Sequence, residues 1–181
     1  MSRIFGPVRQ LGYIVDNIEE AIGHWTTTLG VGPFFHFKRV TALESIYRGQ
    51  PQPLEMTIAL SNTGPMQIEL MTQLNDAQSA LRDHVAKHGY GLHHVAYWTD
   101  AFDARMADWK AAGYEIWQTG AIGSRDNRFA YLEAAAAPRW ADHAGTVVEI
   151  SEVSGMKGKL FQMIADTAAS WNGDNPIRAM G

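Results

Sequence analysis

Apolar and polar positions alternate with two different periods along this chain, and the two kinds of stretch recur in a fixed order. Residues 8–15 (Val-Arg-Gln-Leu-Gly-Tyr-Ile-Val) read as a strand. Asp16 then reads as a helix cap, with Glu19 three positions on completing a capping box. Ile18, Ala21, Ile22 and Trp25 follow at helical spacing, and the run stops at Leu29-Gly30. The same order returns at Gly91-Leu92-His93-His94. Val95, Ala96, Tyr97 and Trp98 are mostly strand formers, Thr99-Asp100 is a helix start, and residues 101–112 form an alanine-rich amphipathic run that stops at Gly113.

The recurrence is an internal repeat. A shift of 84 positions carries Gln10 onto His94, Asp16 onto Asp100 and Trp25 onto Trp109. The ends of the two halves match as well: Gln67-Ile68-Glu69-Leu70 and Val147-Val148-Glu149-Ile150 are apolar strands with one inserted carboxylate each, offset by 80. The repeated unit is a strand, a helix and about three more strands. Those strands are expected near 34–39, 53–61 and 66–71, then near 116–119, 127–133 and 146–152. The pattern therefore predicts an α+β chain with a first βαβββ module over 7–73, a helical connector over 74–90, a second module over 91–154, and a C-terminal helix and tail over 155–181. In the connector, 76–88 reads as a helix with Leu81 and Val85 inward. Residues 159–171 read as an amphipathic helix with Leu160, Met163, Ile164 and Thr167 buried, and 172–176 end it before a loose tail. The alanines at 134–137 read as a turn insertion before Pro138.

The repeat singles out four polar residues inside apolar strands: Gln10 paired with His94, and Glu69 paired with Glu149. Side chains alternate across a strand, so Ile68 and Leu70 should face a helix-covered core and Glu69 the other side; the same holds for Glu149 between Val148 and Ile150. A carboxylate in a strand made for burial is costly unless paired, solvated or bound to a metal. Two carboxylates, a histidine and an amide on one concave face make a nitrogen and oxygen site for a divalent cation. His93 is expected to point the other way, as structural support.

Composition narrows the rest. The 181 residues allow one domain with a real core or two small fused units. A hydrophobic share of 46%, a charged share of 19% and a net charge of −4 suit a globular protein with no basic surface, which argues against nucleic acid or an anionic membrane as the main partner. No cysteine is present, so thiol catalysis, thiolate metal sites and disulfides are excluded. No stretch approaches the roughly 18 apolar residues of a membrane span, and residues 1–7 are too short for a signal peptide. A soluble, cytoplasmic protein is expected.

With these residues in place, the stretch from about 8 to 153 resembles the vicinal oxygen chelate superfamily, the group of glyoxalases, bleomycin-resistance proteins and dioxygenases. The resemblance implies two βαβββ modules side by side, with their sheets curled into a cup-shaped mixed sheet around one metal. It implies that the ligands come from the first and last strands of each module, where Gln10, Glu69, His94 and Glu149 stand. This ligand set looks like that of some glyoxalase I enzymes. The run Glu69-Leu70-Met71-Thr72-Gln73-Leu74-Asn75-Asp76, followed by Gly91-Leu92-His93-His94, also looks like methylmalonyl-CoA epimerase. The epimerases usually have His where Gln10 stands and Gln where Glu69 stands. An insert at 39–54, with Tyr47-Arg48-Gly49-Gln50-Pro51, and the C-terminal helix are less usual for compact glyoxalases.

The function implied is that of a divalent-metal-dependent isomerase or lyase, glyoxalase I-like or epimerase-like. The metal is one ion of Zn, Ni, Co, Mn or Fe. Such an enzyme removes a proton next to a carbonyl and holds the resulting enediolate or enolate at the metal. Glu149 is the first choice of base and Glu69 the partner acid/base. The expected substrate is a fairly hydrophobic small-molecule carbonyl compound or thioester. Trp98, Trp117, Phe34, Phe35 and Met71 are candidates for an apolar cup, and His36, Tyr47, Arg48, Trp98 and Arg128 for substrate contacts. His24 and the pair His84 and His88 read as surface, and Arg125 as a second candidate anion contact beside Arg128. A homodimer is expected. Two other classes remain: an Fe(II) ring-cleaving dioxygenase, which needs two His and one carboxylate, and a non-catalytic protein that sequesters a molecule in the cup.

Overall fold

The computed structural model describes residues 2–3, 5–134 and 147–180. The first module consists of β1 (Val8–Ile14), α1 (Ile18–Thr27), β2 (Phe34–Tyr47), the short β3 (Gln50–Pro51), β4 (Glu55–Thr63) and β5 (Met66–Gln73). The connecting helix α2 (Ala80–His88) leads to β6 (Gly91–Thr99), α3 (Phe102–Ala111), β7 (Tyr114–Ile122), β8 (Arg128–Ala134) and β9 (Val147–Glu152). The chain closes with α4 (Gly155–Ala169) and β10 (Ile177–Met180). The turn expected at 134–137 lies outside the described residues apart from Ala134, and so does Thr146. Among the described residues no helix is long and apolar enough to cross a membrane.

Each module has its strands in the order first, last, third, second, with the first and last parallel. The two parallel ladders share one register: Gln10 lies beside Gln67 and Gly12 beside Glu69, as His94 lies beside Val147 and Ala96 beside Glu149. The sequence repeat is thus a repeat of hydrogen bonding. The modules join through antiparallel β1 and β6, and β2 reaches across to pair with β7. The eight strands β2, β4, β5, β1, β6, β9, β8 and β7 therefore form a closed ring, with β3 and β10 attached to β2.

Strand alternation sorts the core into two outer layers and one inner one. Ile68, Leu70 and Ala59 pack beneath α1 with Ile18, Ile22 and Phe34. Leu132, Ala130 and Ile150 pack beneath α3 with Phe102 and Trp109. The alternate residues Met56, Ile58, Leu60, Met71, Phe129 and Tyr131 turn into the ring, where Phe161 and Ile164 of α4 meet them.

Several local expectations shift. The cap of α1 is Asn17: its Oδ1 accepts from the amides of Glu19 and Glu20 at 3.0 and 3.2 Å, and its Nδ2 donates to Glu20 Oε1 at 3.0 Å. The cap has moved one residue along from Asp16, and Glu20 accepts from the side-chain amide of Asn17 where a capping box would use the cap's backbone N–H. Ser79 caps α2, so that helix starts later than residue 76. The region 39–54 is mostly strand. β2 runs on to Tyr47 through the β-forming Val40, Thr41 and Ile46, with positive φ at Glu44 marking an irregularity. Arg48 and Gly49, both at positive φ, make the two-residue turn into β3. Helix α4 begins before residue 159, and its inner face is Lys157, Leu160, Phe161 and Ile164, whereas Met163 is exposed. The tail is tied down by β10, parallel to β2. His84 is buried rather than solvated, while His24 and His88 are exposed.

Ile164 is fully buried between α4 and the ring. Ile164→Ala is expected to lower stability by about 2–5 kcal/mol, read from the urea midpoint at unchanged slope. A loss below about 0.5 kcal/mol, the range of ordinary surface substitutions, would mean that α4 is not docked as described.

Candidate metal centre and cavity

The four polar residues selected by the repeat meet. His94 Nε2 lies 3.1 Å from Glu149 Oε2, 3.3 Å from Glu69 Oε2 and 3.4 Å from Gln10 Oε1. One ligand-type atom each of Glu69, His94 and Glu149 lies within 4.8 Å of the others. The donors come from β1, β5, β6 and β9 of one chain, so a second subunit is not needed to assemble them.

Their convergence depends on a close approach. Across the β1–β6 junction, Gln10 faces Ala96 and Gly12 faces His94. A Cβ at Gly12 would lie 1.9 Å from His94 Cε1, so only glycine leaves room for the ring. The small residue two positions after each module's donor thus accommodates the donor of the other module. Gln10 Nε2 donates to Gln67 Oε1 at 2.7 Å, which turns the amide oxygen of Gln10 towards the imidazole. His93 Nδ1 lies 3.1 Å from His94 Nδ1. If His94 is to offer a lone pair at Nε2, its proton sits on Nδ1 and is donated to His93. Burial, reinforced by His94 and His84, holds the pKa of His93 well below the ordinary value, so His93 is the neutral acceptor this requires. His93 supports the site as its place in the strand suggested, though through a direct bond between the two rings.

The charges of this buried cluster depend on one another. Burial works against the charged form of His94, yet Glu149 and Glu69 outweigh it and raise its pKa above 6.5. Burial, helped by Glu69, raises the Glu149 carboxyl above the usual range despite His94, Lys157 and Ser151. The buried carboxylate of Glu149 and the partly buried one of Glu69, with an imidazole nitrogen and an oriented amide oxygen beside them, fit a divalent metal. Gln10, Glu69, His94 and Glu149 would hold it.

The cluster lies at an apolar cavity of about 740 Å³ inside the ring. Phe37, Val40, Met56, Ile58, Leu60 and Met71 from the first module line it, with Ile122, Phe129 and Tyr131 from the second and Met156, Lys157, Leu160 and Phe161 from α4. The expectation of an apolar cup holds, but its walls are largely different residues. Of the aromatic candidates, Phe35 and Trp117 join the inner core without lining the cavity, and Phe34 lies on the outer side beneath α1.

The five candidate substrate contacts are not among the cavity's lining residues. His36 is bonded through Nε2 to Thr57 Oγ1 at 2.8 Å, on the outward side of β2, because alternation sends Phe35 and Phe37 inward. Tyr47 donates its hydroxyl to Asp83 at 2.5 Å, and Arg48 stacks over Tyr47 and Trp117 while pairing with Asp83 and Glu133. Trp98 lies against Phe161 at 4.9 Å and beneath Arg9. Arg128 is taken by Glu152 at 2.7 Å and Asp103 at 2.8 Å. Arg125 pairs with Glu44 on the surface.

Three cavity groups escaped the sequence reading. Lys157 Nζ donates to Ser151 Oγ at 2.8 Å, and Ser151 in turn hydrogen-bonds Glu149. Burial lowers the Lys157 pKa against the pull of Glu149, Glu69 and Glu152. Tyr131 donates only to Met71 Sδ at 3.8 Å, a weak acceptor, and burial keeps its phenol protonated. Signals existed for two of them. Lys157 stands four and seven residues before Phe161 and Ile164, on the same helical face, and Ser151 stands two after Glu149 on the same strand face.

A sequence model of the Glyoxalase/Bleomycin resistance protein/Dioxygenase superfamily matches residues 9–131, more than half of the chain. A search of curated protein sequences found no match. Among solved structures, a methylmalonyl-CoA epimerase from Mycobacterium tuberculosis superposes with a TM-score of 0.57 at 16% identity, covering 88% of this chain and 95% of its own. A hypothetical protein from Bacillus halodurans C-125 superposes with a TM-score of 0.56 at 21% identity, covering 82% and 95%. At such identities these structures share the fold.

Two outcomes follow from the geometry. Gly12→Ala should displace His94 and cut divalent-metal affinity by about ten- to a hundredfold, the scale of lost ligand support, as measured by competition with a chelating dye. Unchanged affinity would show that the ring tolerates the added carbon. In metal-free protein the raised pKa of His94 stabilises the fold below about pH 6.5, and this contribution fades as pH rises through the raised value. The raised pKa of Glu149 acts in the same direction. Thermal melts should therefore show metal-free stability falling above neutral pH, with metal raising Tm more at pH 8 than at pH 6. A metal effect independent of pH would contradict this.

Proposed function

The chain belongs to the Glyoxalase/Bleomycin resistance protein/Dioxygenase superfamily, and from that footing we propose that it is a divalent-metal-dependent isomerase or lyase acting on a small hydrophobic carbonyl compound or thioester. One observation carries the proposal: Gln10, Glu69 and Glu149 converge on His94 Nε2 at an apolar cavity of about 740 Å³.

A divalent ion held there would supply positive charge to two adjacent substrate oxygens, easing removal of a proton from the carbon beside them. Glu149 takes that proton. Its place at the cavity beside the metal donors and its hydrogen bond to Ser151 suit a carboxylate that must accept a proton and later release it. Glu69, from the equivalent strand of the other module, donates its own proton to a second carbon or the opposite face, and the pair is reset by loss of a proton from Glu149 to solvent and uptake of one by Glu69. Ser151 and Gln67 orient the carboxylate of Glu149 and the amide of Gln10. The apolar walls and α4 exclude water from the anion formed on the substrate. The shared fold with an enzyme named methylmalonyl-CoA epimerase keeps an acyl thioester among the candidates. A dioxygenase is disfavoured, because the cluster offers one imidazole and two carboxylates where two imidazoles and one carboxylate are needed. A homodimer completes the proposal, on the habit of the superfamily, and a single-chain sedimentation mass would remove it.

The test combines metal and proton exchange. Protein purified without chelator should hold about one divalent ion per chain, lost in His94→Ala and Glu149→Ala. No metal in the wild type would favour a sequestering protein. With a panel of α-keto hemithioacetals and α-branched acyl thioesters, Glu149→Gln should reduce solvent-deuterium exchange into bound substrate by about 10²–10⁴-fold. Exchange at the wild-type rate would remove Glu149 from the role of base.

A further inference from the structure

The most informative unassigned group is the ammonium of Lys157. It sits in the cavity wall on α4, outside the two modules that supply the metal donors. Its stem crosses the ring of Phe161, with Nζ 5.6 Å from the centroid, and Nζ donates to Ser151 Oγ at 2.8 Å. That leaves two of its three donors for another acceptor. Among the described residues no carboxylate oxygen lies within ion-pair distance of it, although Glu149, Glu69 and Glu152 attract it from farther away.

The charge balance of the cavity gives this position meaning. Its charged lining residues are Arg39, Glu69, Glu149 and Lys157. Arg39 is exposed and paired with Glu55 at 3.0 Å. A divalent ion would neutralise Glu69 and Glu149, with His94 neutral as a ligand. Among the described lining residues Lys157 is then the cation with no carboxylate in ion-pair contact, and its buried ammonium is favoured by an occupant that brings a counter-charge.

We propose that Lys157 is the specificity group of this cavity, and that the substrate is a hydrophobic carbonyl compound carrying one carboxylate, which Lys157 Nζ binds. This rests on the metal-dependent reading above. The apolar walls take the tail, the metal donors face the reacting oxygens, and a charge-assisted hydrogen bond from Lys157 fixes the carboxylate end. Neutral carbonyl compounds of the same shape forfeit that bond.

The test uses binding, with protein loaded with one equivalent of Co(II), so that metal content is read by its visible spectrum. The probes are 4-(2-oxopropanoyl)benzoate and its methyl ester, which share the vicinal dione and the aryl group and differ only in the charge of a carboxylate remote from the chelating oxygens. Calorimetry on the wild type should show the acid binding more tightly than the ester. Lys157→Met keeps the aliphatic stem; it should weaken acid binding about tenfold or more while leaving the ester within about twofold. Lys157→Arg should retain the preference for the acid. The inference is overturned if Lys157→Met binds the acid as the wild type does, if acid and ester weaken together, or if the wild type with metal bound takes up neither probe. Failure to bind Co(II) would instead sink the metal-dependent activity, so the two failures are separately visible.

Discussion

The whole arrangement depends on how closely β1 and β6 can approach. The two modules touch at this junction, and the imidazole of His94 occupies the space that a side chain at residue 12 would need. Glycine there lets His94 stand over β1 and face Gln10, Glu69 and Glu149 together. A bulkier junction would splay the modules and separate donors that reside on four strands. Interiors are packed too densely for such a displacement to be absorbed locally.

Around that junction the chain sets apolar burial against buried charge. The outward faces of both modules are sealed by α1 and α3, so the inward face is the one left for polar groups. Long β2 closes the ring against β7, and α4 lines its interior with Phe161 and Ile164. Closure lowers the local dielectric and raises the cost of Glu69 and Glu149, which in turn makes a cation more favourable there. It also gives the lone ammonium of Lys157 more influence over what enters.

The core of the site was legible because the chain says it twice. One glutamine in a strand carries little information, but Gln10 and His94 share a register with Glu69 and Glu149 in two parallel ladders. Alternation around Ile68 and Leu70 then settled which face the carboxylates take. The same rule misplaced nothing where it was applied; it was left unapplied to His36, which alternation between Phe35 and Phe37 sends outward. Tyr47, Arg48 and Arg128 looked available because sequence shows a charge and not its partner. Asp83, Glu133, Glu152 and Asp103, distant along the chain, had already claimed them.

By itself, the sequence determined the repeated strand and helix order, the α+β class and the four polar residues that meet at His94 Nε2, since these depend on periodicities of two and 3.6 residues and on local spacing. Tertiary structure alone decided that β2 would close the ring, that the tail would add a strand, and that α4 would present Lys157 to the cavity. Those outcomes depend on pairing between strand edges and on which helical face finds an apolar wall, energies of contact between residues far apart in the chain. Glycine at position 12 shows the division most plainly: it reads as an ordinary strand residue until the ring of His94 is seen filling the space beside it.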